Sequence, residues 1–585
     1  MRKNTANKPI AARVFFSRWR FAFVILLLLT MAISLLWNVA LLQVVEKDQV
    51  FLQEQGDART IREEVLVAHR GVITDRNGEP LAVSTPLTSL WLNPKQWRYD
   101  AVEQKQLADL LLLSEQELNK KLAAHSGKQF MYLQRHMEPH IAAKVLAKRW
   151  LGVYGSTEYR RFYPAGEVTA HLVGLTNDDG VGQEGLELAY EEWLKGESGA
   201  KRVVKDLKGH VVKEIGLIRS PKAGDDIQLS IDLRMQYVAH RELRRAVTEH
   251  KAAAGSVVLL DVETGEVLAM ANQPSFNPND RSNLKVAALR NRAIIDQFEP
   301  GSTMKPLTIM TALESGRYTP NTMIDTSPGY IRINQKTLLD PVNYGEIDLT
   351  KIITKSSQVG ISKVALTLEQ ESVRDMFYRL GLGQSAGTGF PGESVGVLPN
   401  KSRWSDIERA NFSFGYGLSV SALQLAKAYS VIASHGIKKD VSLLSKAGLE
   451  VIGQRVVSAK ITDQVIAMLK TVPQKGGTGK RAQIAEYPVA GKTGTIHKIG
   501  GSGYSDGQYL SVFAGMAPAN DPKVVAVVIV DDPKSGKYYG GEVAAPVFSR
   551  VAEAALRLMN VPPKSIPNKS AARQDVLSVQ RGPVS

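Results

Sequence analysis

The chain has 585 residues, too many for one ordinary domain, and its length predicts two or three. Hydrophobic residues make up 44% of it and charged residues 22%, so most of the chain can fold around buried cores. It contains no cysteine, which excludes disulfide bonds, a cysteine nucleophile and a cysteine-ligated metal. The net charge of +15 is dispersed, without an arginine-rich arm carrying aromatic residues. We therefore expect anionic lipid and carboxylate-bearing substrates as partners, and no nucleic acid.

An apolar run near the N-terminus predicts a membrane anchor. Residues 21–45 contain no charge, and a helix of that length spans roughly 37 Å, more than the roughly 30 Å hydrocarbon core. Only basic charges precede it, at Arg2, Lys3, Lys8, Arg13, Arg18 and Arg20. The positive-inside rule predicts a cytoplasmic tail over residues 1–20 and puts the chain after Glu46 outside. A cleaved signal peptide is the alternative, but the run is too long and ends without a small-residue cleavage site.

Residues 46–220 are mixed in pattern and predict a module of their own. Asn77-Gly78 is a tight-turn signal, and the apolar residues at 72–73 and 81–83 predict the two strands of a hairpin around it. Residues 138–151 predict a helix with Pro139 in its first turn, where proline is tolerated.

Residues 221–560 predict an α+β domain. Four apolar stretches predict its outer strands: 255–261, 266–271, 509–516 and 523–530. Helical stretches, of which residues 420–434 are an example, lie between them in the sequence. Strands at both ends of a domain with helices between them indicate one antiparallel sheet covered by helices. Residues 561–585 are polar and contain Pro562, Pro563 and Pro567 among their prolines, so we expect a disordered tail.

The first of three short motifs in this region is Gly301-Ser302-Thr303-Met304-Lys305-Pro306. A serine and a lysine three residues apart share one helix face, and Pro306 belongs in a first turn because it cannot donate to the helix ladder. Ser302 is therefore expected at or just before a helix N-terminus, where the partial positive charge favours a forming anion. A desolvated Lys305 there loses pKa and can take the serine proton. Alone, the motif often occurs by chance, and it more often marks an ordinary capping serine and a surface lysine.

The second motif is Lys355-Ser356-Ser357-Gln358. The Ser356 hydroxyl can relay a proton, and the Gln358 amide can hold a substrate carbonyl. By itself the motif also fits a polar helix cap.

The third motif, residues 490–495, predicts a strand that lies before 509–516 in the sheet and contains Lys492-Thr493-Gly494-Thr495. Glycine inside a strand often marks the close approach of a ligand backbone, and a lysine and a threonine beside it suit a substrate carboxylate. A bulged edge strand is the structural alternative.

The three motifs stand 54 and then 136 residues apart, and together they resemble the penicilloyl-serine transferase superfamily. Further stretches resemble the class B penicillin-binding proteins of the septal, FtsI type: residues 70–78, 161–164, 182–187, 414–417 and 538–541. The similarity covers nearly all of residues 60–555. It implies an elongated pedestal domain of the dimerisation type over 46–220 and a transpeptidase domain over 221–560.

The resemblance also implies an activity, cross-linking of peptidoglycan stem peptides during septal cell-wall synthesis, and acylation by β-lactams. Ser302 would be the nucleophile and Lys305 the general base, and Ser356 would relay a proton to the leaving amine. Lys492 and Thr493 would hold a carboxylate, and the backbone N–H groups of Ser302 and Thr495 would form the oxyanion hole. Because the substrate strand carries its own energy, no cofactor or metal is implied.

The implied setting is the bacterial inner membrane, with the catalytic domain in the periplasm. The implied partners are glycan strands derived from lipid II, a SEDS-type glycosyltransferase that binds the anchor and pedestal, and small bitopic division proteins.

Gln358 departs from the resemblance, because asparagine is usual at this position. Its amide stands on a chain one methylene longer, and a misplacement of roughly 1 Å costs about 100-fold in rate. We therefore expect Gln358 to alter activity, substrate preference or the response to β-lactams.

Two alternatives remain. A D,D-carboxypeptidase or β-lactamase-like hydrolase would use the same motifs, but the anchor and the large N-terminal module argue against a simple hydrolase. A non-catalytic division scaffold is disfavoured by the presence of Ser302, Lys305 and Lys492.

Overall fold

The computed structural model describes residues 18–44, 61–206, 211–500 and 503–563. The predicted anchor is a helix, α1 (Arg18–Val44), and its stretch Arg18–Leu41 is long and apolar enough to cross a membrane and is not buried against other residues. Most of the predicted cytoplasmic tail and most of the predicted disordered C-terminal tail lie outside the described residues.

The N-terminal module is built mainly from two sheets. One is a three-stranded antiparallel sheet in the order β1-β8-β9, and the other has the order β10-β2-β3-β4 with β5 also paired to β3. The strands are β1 (Ile61–Leu66), β2 (Ile73–Thr74), β3 (Pro80–Leu92), β4 (Met131–Met137), β5 (Val153–Phe162), β6 (Leu175–Thr176), β7 (Gly182–Glu184), β8 (Gly199–Lys205), β9 (Val211–Arg219) and β10 (Ile227–Gln228). The helices are α2 (Ala101–Leu110), α3 (Glu115–Ala124), α4 (Pro139–Leu146), α5 (Ala170–Val173), α6 (Gly185–Ala189) and α7 (Glu191–Leu194).

The predicted hairpin is confirmed, since Ile73 of β2 pairs with Ala82 of β3. Gly78 has a φ of 89°, and its N–H donates to the Asp75 carbonyl at 3.1 Å, which closes the turn. The helix predicted over residues 138–151 begins correctly, with Pro139 in its first turn, but it ends at Leu146. The chain leaves the helix there because Arg149 adopts a left-handed φ of 52° before β5.

A buried ion cluster joins three of the stretches that carry the family resemblance. The Glu187 carboxylate is fully buried and accepts from the Nε of Arg70 at 2.5 Å and from the Nε of Arg161 at 2.6 Å. Arg70 also pairs with Glu191 at 2.6 Å. Removal of one partner would leave a buried charge uncompensated, so this cluster fixes how these segments of the module meet.

The C-terminal domain contains the strands β11 (Ala254–Asp261), β12 (Val267–Gln273), β13 (Met323–Asp325), β14 (Tyr330–Ile333), β15 (Lys336–Leu339), β16 (Glu346–Asp348), β17 (Ile437–Lys439), β18 (Gly453–Arg455), β19 (Ala490–Gly500), β20 (Gly503–Ala517) and β21 (Val524–Asp531). Its helices are α8 (Leu233–Glu249), α9 (Val286–Leu289), α10 (Arg292–Ile295), α11 (Lys305–Glu314), α12 (Leu349–Lys355), α13 (Gln358–Thr367), α14 (Ser372–Arg379), α15 (Asp406–Ser413), α16 (Ala422–Ala433), α17 (Ala459–Leu469), α18 (Gly540–Val543) and α19 (Ala545–Leu558).

The main sheet of this domain is antiparallel and has the order β12-β11-β21-β20-β19. Alternate residues of β11 enter two different cores: Val257 packs with residues of α8 and α19, whereas Val258 packs in the core that contains α16. The predicted α+β fold, one antiparallel sheet covered by helices, is therefore confirmed. The strand predicted from the Lys-Thr-Gly motif is β19, and it lies at the edge of the sheet beside β20.

Candidate active site

Ser302 lies in a 3₁₀ turn, Gly301–Met304, that leads directly into α11. Gly301 has a φ of 57°, and a Cβ at this position would lie 2.6 Å from a carbon of Ile496 on β19. Glycine is thus required both by the left-handed conformation and by the close packing of the turn against the edge strand. Pro306 occupies the first turn of α11, as predicted. Ser302 is therefore held between β19 and a helix N-terminus.

Lys305 is the first residue of α11 and is fully buried. Its Nζ donates to the Ser356 carbonyl at 2.5 Å and to the Ser356 hydroxyl at 3.1 Å, and it lies 5.8 Å from the centre of the Phe414 ring. Burial lowers the pKa of Lys305 to about 7, and the charge of Asp340 opposes this shift in part. A large fraction of Lys305 is therefore neutral near pH 7 and able to accept a proton.

Ser356 joins α12 to α13 and adopts a left-handed φ of 58°. Its hydroxyl accepts from Lys305 and also from the Nζ of Lys492, at 2.9 Å. Lys492 is fully buried as well, and its Nζ also donates to the Thr493 carbonyl at 3.2 Å. Burial, assisted by the charge of Lys305, holds the pKa of Lys492 well below its ordinary value. Because both lone pairs of the Ser356 oxygen are taken by lysines, its own proton is free to be donated.

Asp340 fixes the turn that presents Ser356. Its carboxylate accepts from the Ser357 hydroxyl at 2.5 Å and from the backbone N–H groups of Gln358 and Val359 at 2.6 and 3.2 Å. These last two groups are at the N-terminus of α13, where backbone donors lack partners within the helix. Asp340 was not identified from the sequence, because it lies outside the three motifs, among short strands with no distinctive pattern.

A cavity of about 460 Å³ opens beside these residues. Four of the predicted site residues line it, namely Ser302, Ser356, Thr493 and Thr495. The Thr493 hydroxyl lies 2.8 Å from that of Thr478, a residue that the sequence did not identify. Within the described residues, no group of three or more His, Asp or Glu side chains could hold a metal ion.

The remaining predicted site residues do not line this cavity. Lys305 and Lys492 are buried, and both reach the Ser356 hydroxyl. Gly494 packs inside the domain, where a Cβ would lie 3.2 Å from Thr303. Gln358 begins α13, and its backbone N–H is held by Asp340. The substrate contacts predicted for Gly494 and Gln358 stay predictions.

The site brings Ser302, two buried lysines and Ser356 together beside the edge strand of the main sheet. Residues 255–553 match the family described as penicillin binding protein transpeptidase domain, and residues 65–229 match the penicillin-binding protein dimerisation domain.

Two curated relatives are similar along almost their whole length. Peptidoglycan D,D-transpeptidase FtsI of Escherichia coli K12 is 43% identical over 557 residues, which are 94% of each chain. The probable peptidoglycan D,D-transpeptidase PbpC of Pseudomonas aeruginosa is 41% identical over 553 residues, 94% of this chain and 97% of PbpC.

Solved structures of penicillin-binding proteins are also similar to this chain. Penicillin binding protein 3 of Mycobacterium tuberculosis, in complex with aztreonam, is 28% identical, with a TM-score of 0.66 and coverage of 86% of this chain and 98% of that one. The transpeptidase domain of penicillin-binding protein 3 of Burkholderia pseudomallei is 39% identical, with a TM-score of 0.54 and coverage of 58% and 98%. The chain belongs to the class B penicillin-binding proteins and, among them, to the FtsI type.

Proposed function

We propose that this chain is a membrane-anchored D,D-transpeptidase that cross-links peptidoglycan stem peptides during septal cell-wall synthesis, with Ser302 as its nucleophile. The observation that carries this proposal is the meeting of two buried lysines, Lys305 and Lys492, on the hydroxyl of Ser356 in a cavity that Ser302 also lines. Buried lysines without a carboxylate partner are costly to a fold, and this cost is understandable where their low pKa values serve catalysis.

In the first half-reaction, neutral Lys305 takes the proton of Ser302, whose Oγ attacks the carbonyl between two D-alanines. The backbone N–H groups of Ser302 and Thr495 stabilise the oxyanion, and each such donor is worth about 2.7–4 kcal/mol in a transition state. Ser356 donates its proton to the leaving amine and regains one from Lys305. The Thr493 and Thr495 hydroxyls, with Lys492 of the same strand, hold the carboxylate of the leaving D-alanine or of a β-lactam.

In the second half-reaction, an amine of another stem peptide attacks the ester carbonyl. The new C–N bond forms as the bond between this carbon and Ser302 Oγ breaks, and the serine recovers its proton. The covalent intermediate thus divides one difficult exchange into two easier steps. Attack by water would make the same site a hydrolase.

Gln358 is proposed to hold the peptide carbonyl of the substrate through its side-chain amide. This is the role that the resemblance implies for the asparagine that is usual at this position. Its backbone N–H is fixed by Asp340 at 2.6 Å, so the added methylene has to be accommodated by the side chain and not by a shift of α13. We therefore propose that Gln358 changes the preference among substrates and β-lactams.

The proposed setting is the inner membrane, crossed once by α1 with the N-terminus in the cytoplasm and the catalytic domain in the periplasm. The basic residues that precede the apolar run, without acidic ones, support this orientation. A SEDS-type glycosyltransferase and bitopic division proteins are proposed as partners of the anchor and pedestal, by analogy with the family.

The proposal is tested by mapping the site of acylation. The full-length chain in detergent is treated with a penicillin, digested and analysed by mass spectrometry. We expect one modified peptide, which contains Ser302 and carries the mass of the intact drug. An adduct on another residue would contradict the assignment of the nucleophile. Rapid consumption of the drug without an adduct would favour the hydrolase, and neither adduct nor consumption would favour the scaffold.

A second expected result concerns Asp340. The Asp340→Asn variant replaces one accepting oxygen with a nitrogen that cannot accept a hydrogen bond. One of the three hydrogen bonds to the Ser357–Val359 turn is therefore lost. We expect the acylation rate to fall about ten-fold. Because the charge of Asp340 raises the pKa of Lys305, the pH dependence of acylation should also move to lower pH. The exposed Asp325→Asn variant is the control. A slower reaction with an unchanged pH profile would limit Asp340 to a structural role.

A further inference from the structure

A cationic rim lies on one side of the catalytic cavity, and the mechanism above gives it no role. Lys355, Lys480 and Arg481 line the same cavity as Ser302, and Glu542 is the one carboxylate among the residues of this lining. A cavity wall with this excess of positive charge attracts anionic ligands.

Two of these cations are available to a ligand. Lys480 and Arg481 are exposed on a short 3₁₀ helix, Lys480–Ala482, and neither forms an ion pair with any other residue that the structure describes. Lys355, in contrast, donates to the Gly476 carbonyl at 2.7 Å and so ties the segment before this helix to the end of α12. The position of the rim is therefore fixed, although two of its charges are unpaired.

The rim lies on the side of the site from which an amine leaves. Lys355 directly precedes Ser356, and the Thr478 hydroxyl, two residues before Lys480, is 2.8 Å from that of Thr493. In the proposed mechanism Ser356 protonates the leaving amine, and Thr493 holds the carboxylate of the same leaving residue. By microscopic reversibility, the attacking amine of the second half-reaction occupies the place that the leaving amine has vacated.

We propose that Lys480 and Arg481, with Lys355 beside them, form the subsite for the acceptor strand and bind a carboxylate of the stem peptide that carries the attacking amine. This inference rests on the proposed function and adds the class of ligand, an amine-bearing acidic peptide. Binding at this rim holds the acceptor amine near the acyl-Ser302 carbonyl. The C–N bond then forms, the C–Oγ bond breaks, and the amine proton passes through Ser356 to the serine oxygen. Without the acceptor, water takes the acyl group.

The test measures the ratio of aminolysis to hydrolysis, which is the ratio in which the acyl group is transferred to an amine or to water. The full-length chain in detergent is acylated by a benzoyl-D-alanyl thioester in the presence of one of two acceptors. The first is the tripeptide L-alanyl-γ-D-glutamyl-diaminopimelate, and the second is the same tripeptide with all of its carboxylates amidated. In the Lys480→Gln/Arg481→Gln variant we expect the ratio of aminolysis to hydrolysis to fall about five-fold with the acidic acceptor and less than about two-fold with the amidated one, as for two exposed charge contacts.

The matched control is Lys475→Gln, an exposed lysine of the same segment that does not line the cavity, and its ratio should equal that of the wild type. The acceptor subsite is overturned if the double variant keeps the wild-type ratio, or if its ratio falls equally with both acceptors. The proposed function is judged separately by acylation of the wild-type chain. If the thioester does not acylate Ser302 at all, the proposed function fails and the subsite fails with it.

Discussion

The Ser302→Ala variant should form no covalent adduct with a penicillin and should lose transpeptidation by about 10⁴-fold or more, because it lacks the hydroxyl that accepts the acyl chain in the proposed mechanism. Ser302 is half-buried in the 3₁₀ turn before α11, and alanine keeps the Cβ that the turn already accommodates. Loss of one hydroxyl at such a position changes the free energy of unfolding by about 0.5 kcal/mol or less. The measurement is intact mass after exposure to the drug, together with the thermal midpoint of both proteins.

The control for this variant lies at the C-terminal end of α11, the helix that follows Ser302. Ser315 is exposed at the C-terminus of α11, and its hydroxyl donates to the Ala312 carbonyl at 2.7 Å. The Ser315→Ala variant should be acylated like the wild type. An adduct that persists in the Ser302→Ala variant would show that another nucleophile carries the reaction, and the assignment of the motif would then be wrong.

The sequence predicted the local part of the site well because that part depends on neighbouring residues. The spacing of Ser302 and Lys305 and the restriction that Pro306 imposes specify a turn that enters a helix, and this is observed. The apolar stretches 509–516 and 523–530 likewise predict two strands of the sheet, observed as β20 and β21. These signals are contained within one element each, so periodicity and turn chemistry are sufficient to read them.

The parts that the sequence could not predict depend on contacts between distant segments. Lys492 reaches Ser356 across 136 residues, and Asp340 holds the start of α13 from a region of short strands. The first motif indicated a desolvated Lys305, but no sequence pattern indicated the complete burial of Lys492, since lysines are almost never fully buried. The helix over 138–151 was predicted too long for a related reason, because a left-handed residue, Arg149, has no reliable sequence signature.

The Lys305→Met variant should lose acylation by about 10³-fold and yet be at least as stable as the wild type. General base catalysis contributes typically 10²- to 10⁴-fold, and methionine has no group that can take the Ser302 proton. Lys305 is fully buried and, among the residues that the structure describes, has no ion-pair partner, so a similar apolar side chain removes a desolvation cost. If Lys305 has a structural role instead, the thermal midpoint of the Lys305→Met variant will lie below that of the wild type.

The pH dependence of the acylation rate shows which of the two buried lysines, Lys305 or Lys492, acts as the base. Because burial lowers the pKa of Lys305 to about 7, its reactive, neutral form increases as the pH rises through this value. Wild-type acylation should therefore rise about ten-fold per pH unit below 7 and level off above it. The residual reaction of the Lys305→Met variant should lack this inflection. If the inflection remains, Lys492, whose pKa is also well below its ordinary value, would be the base that activates Ser302, with Ser356 as the intermediary that both lysines contact.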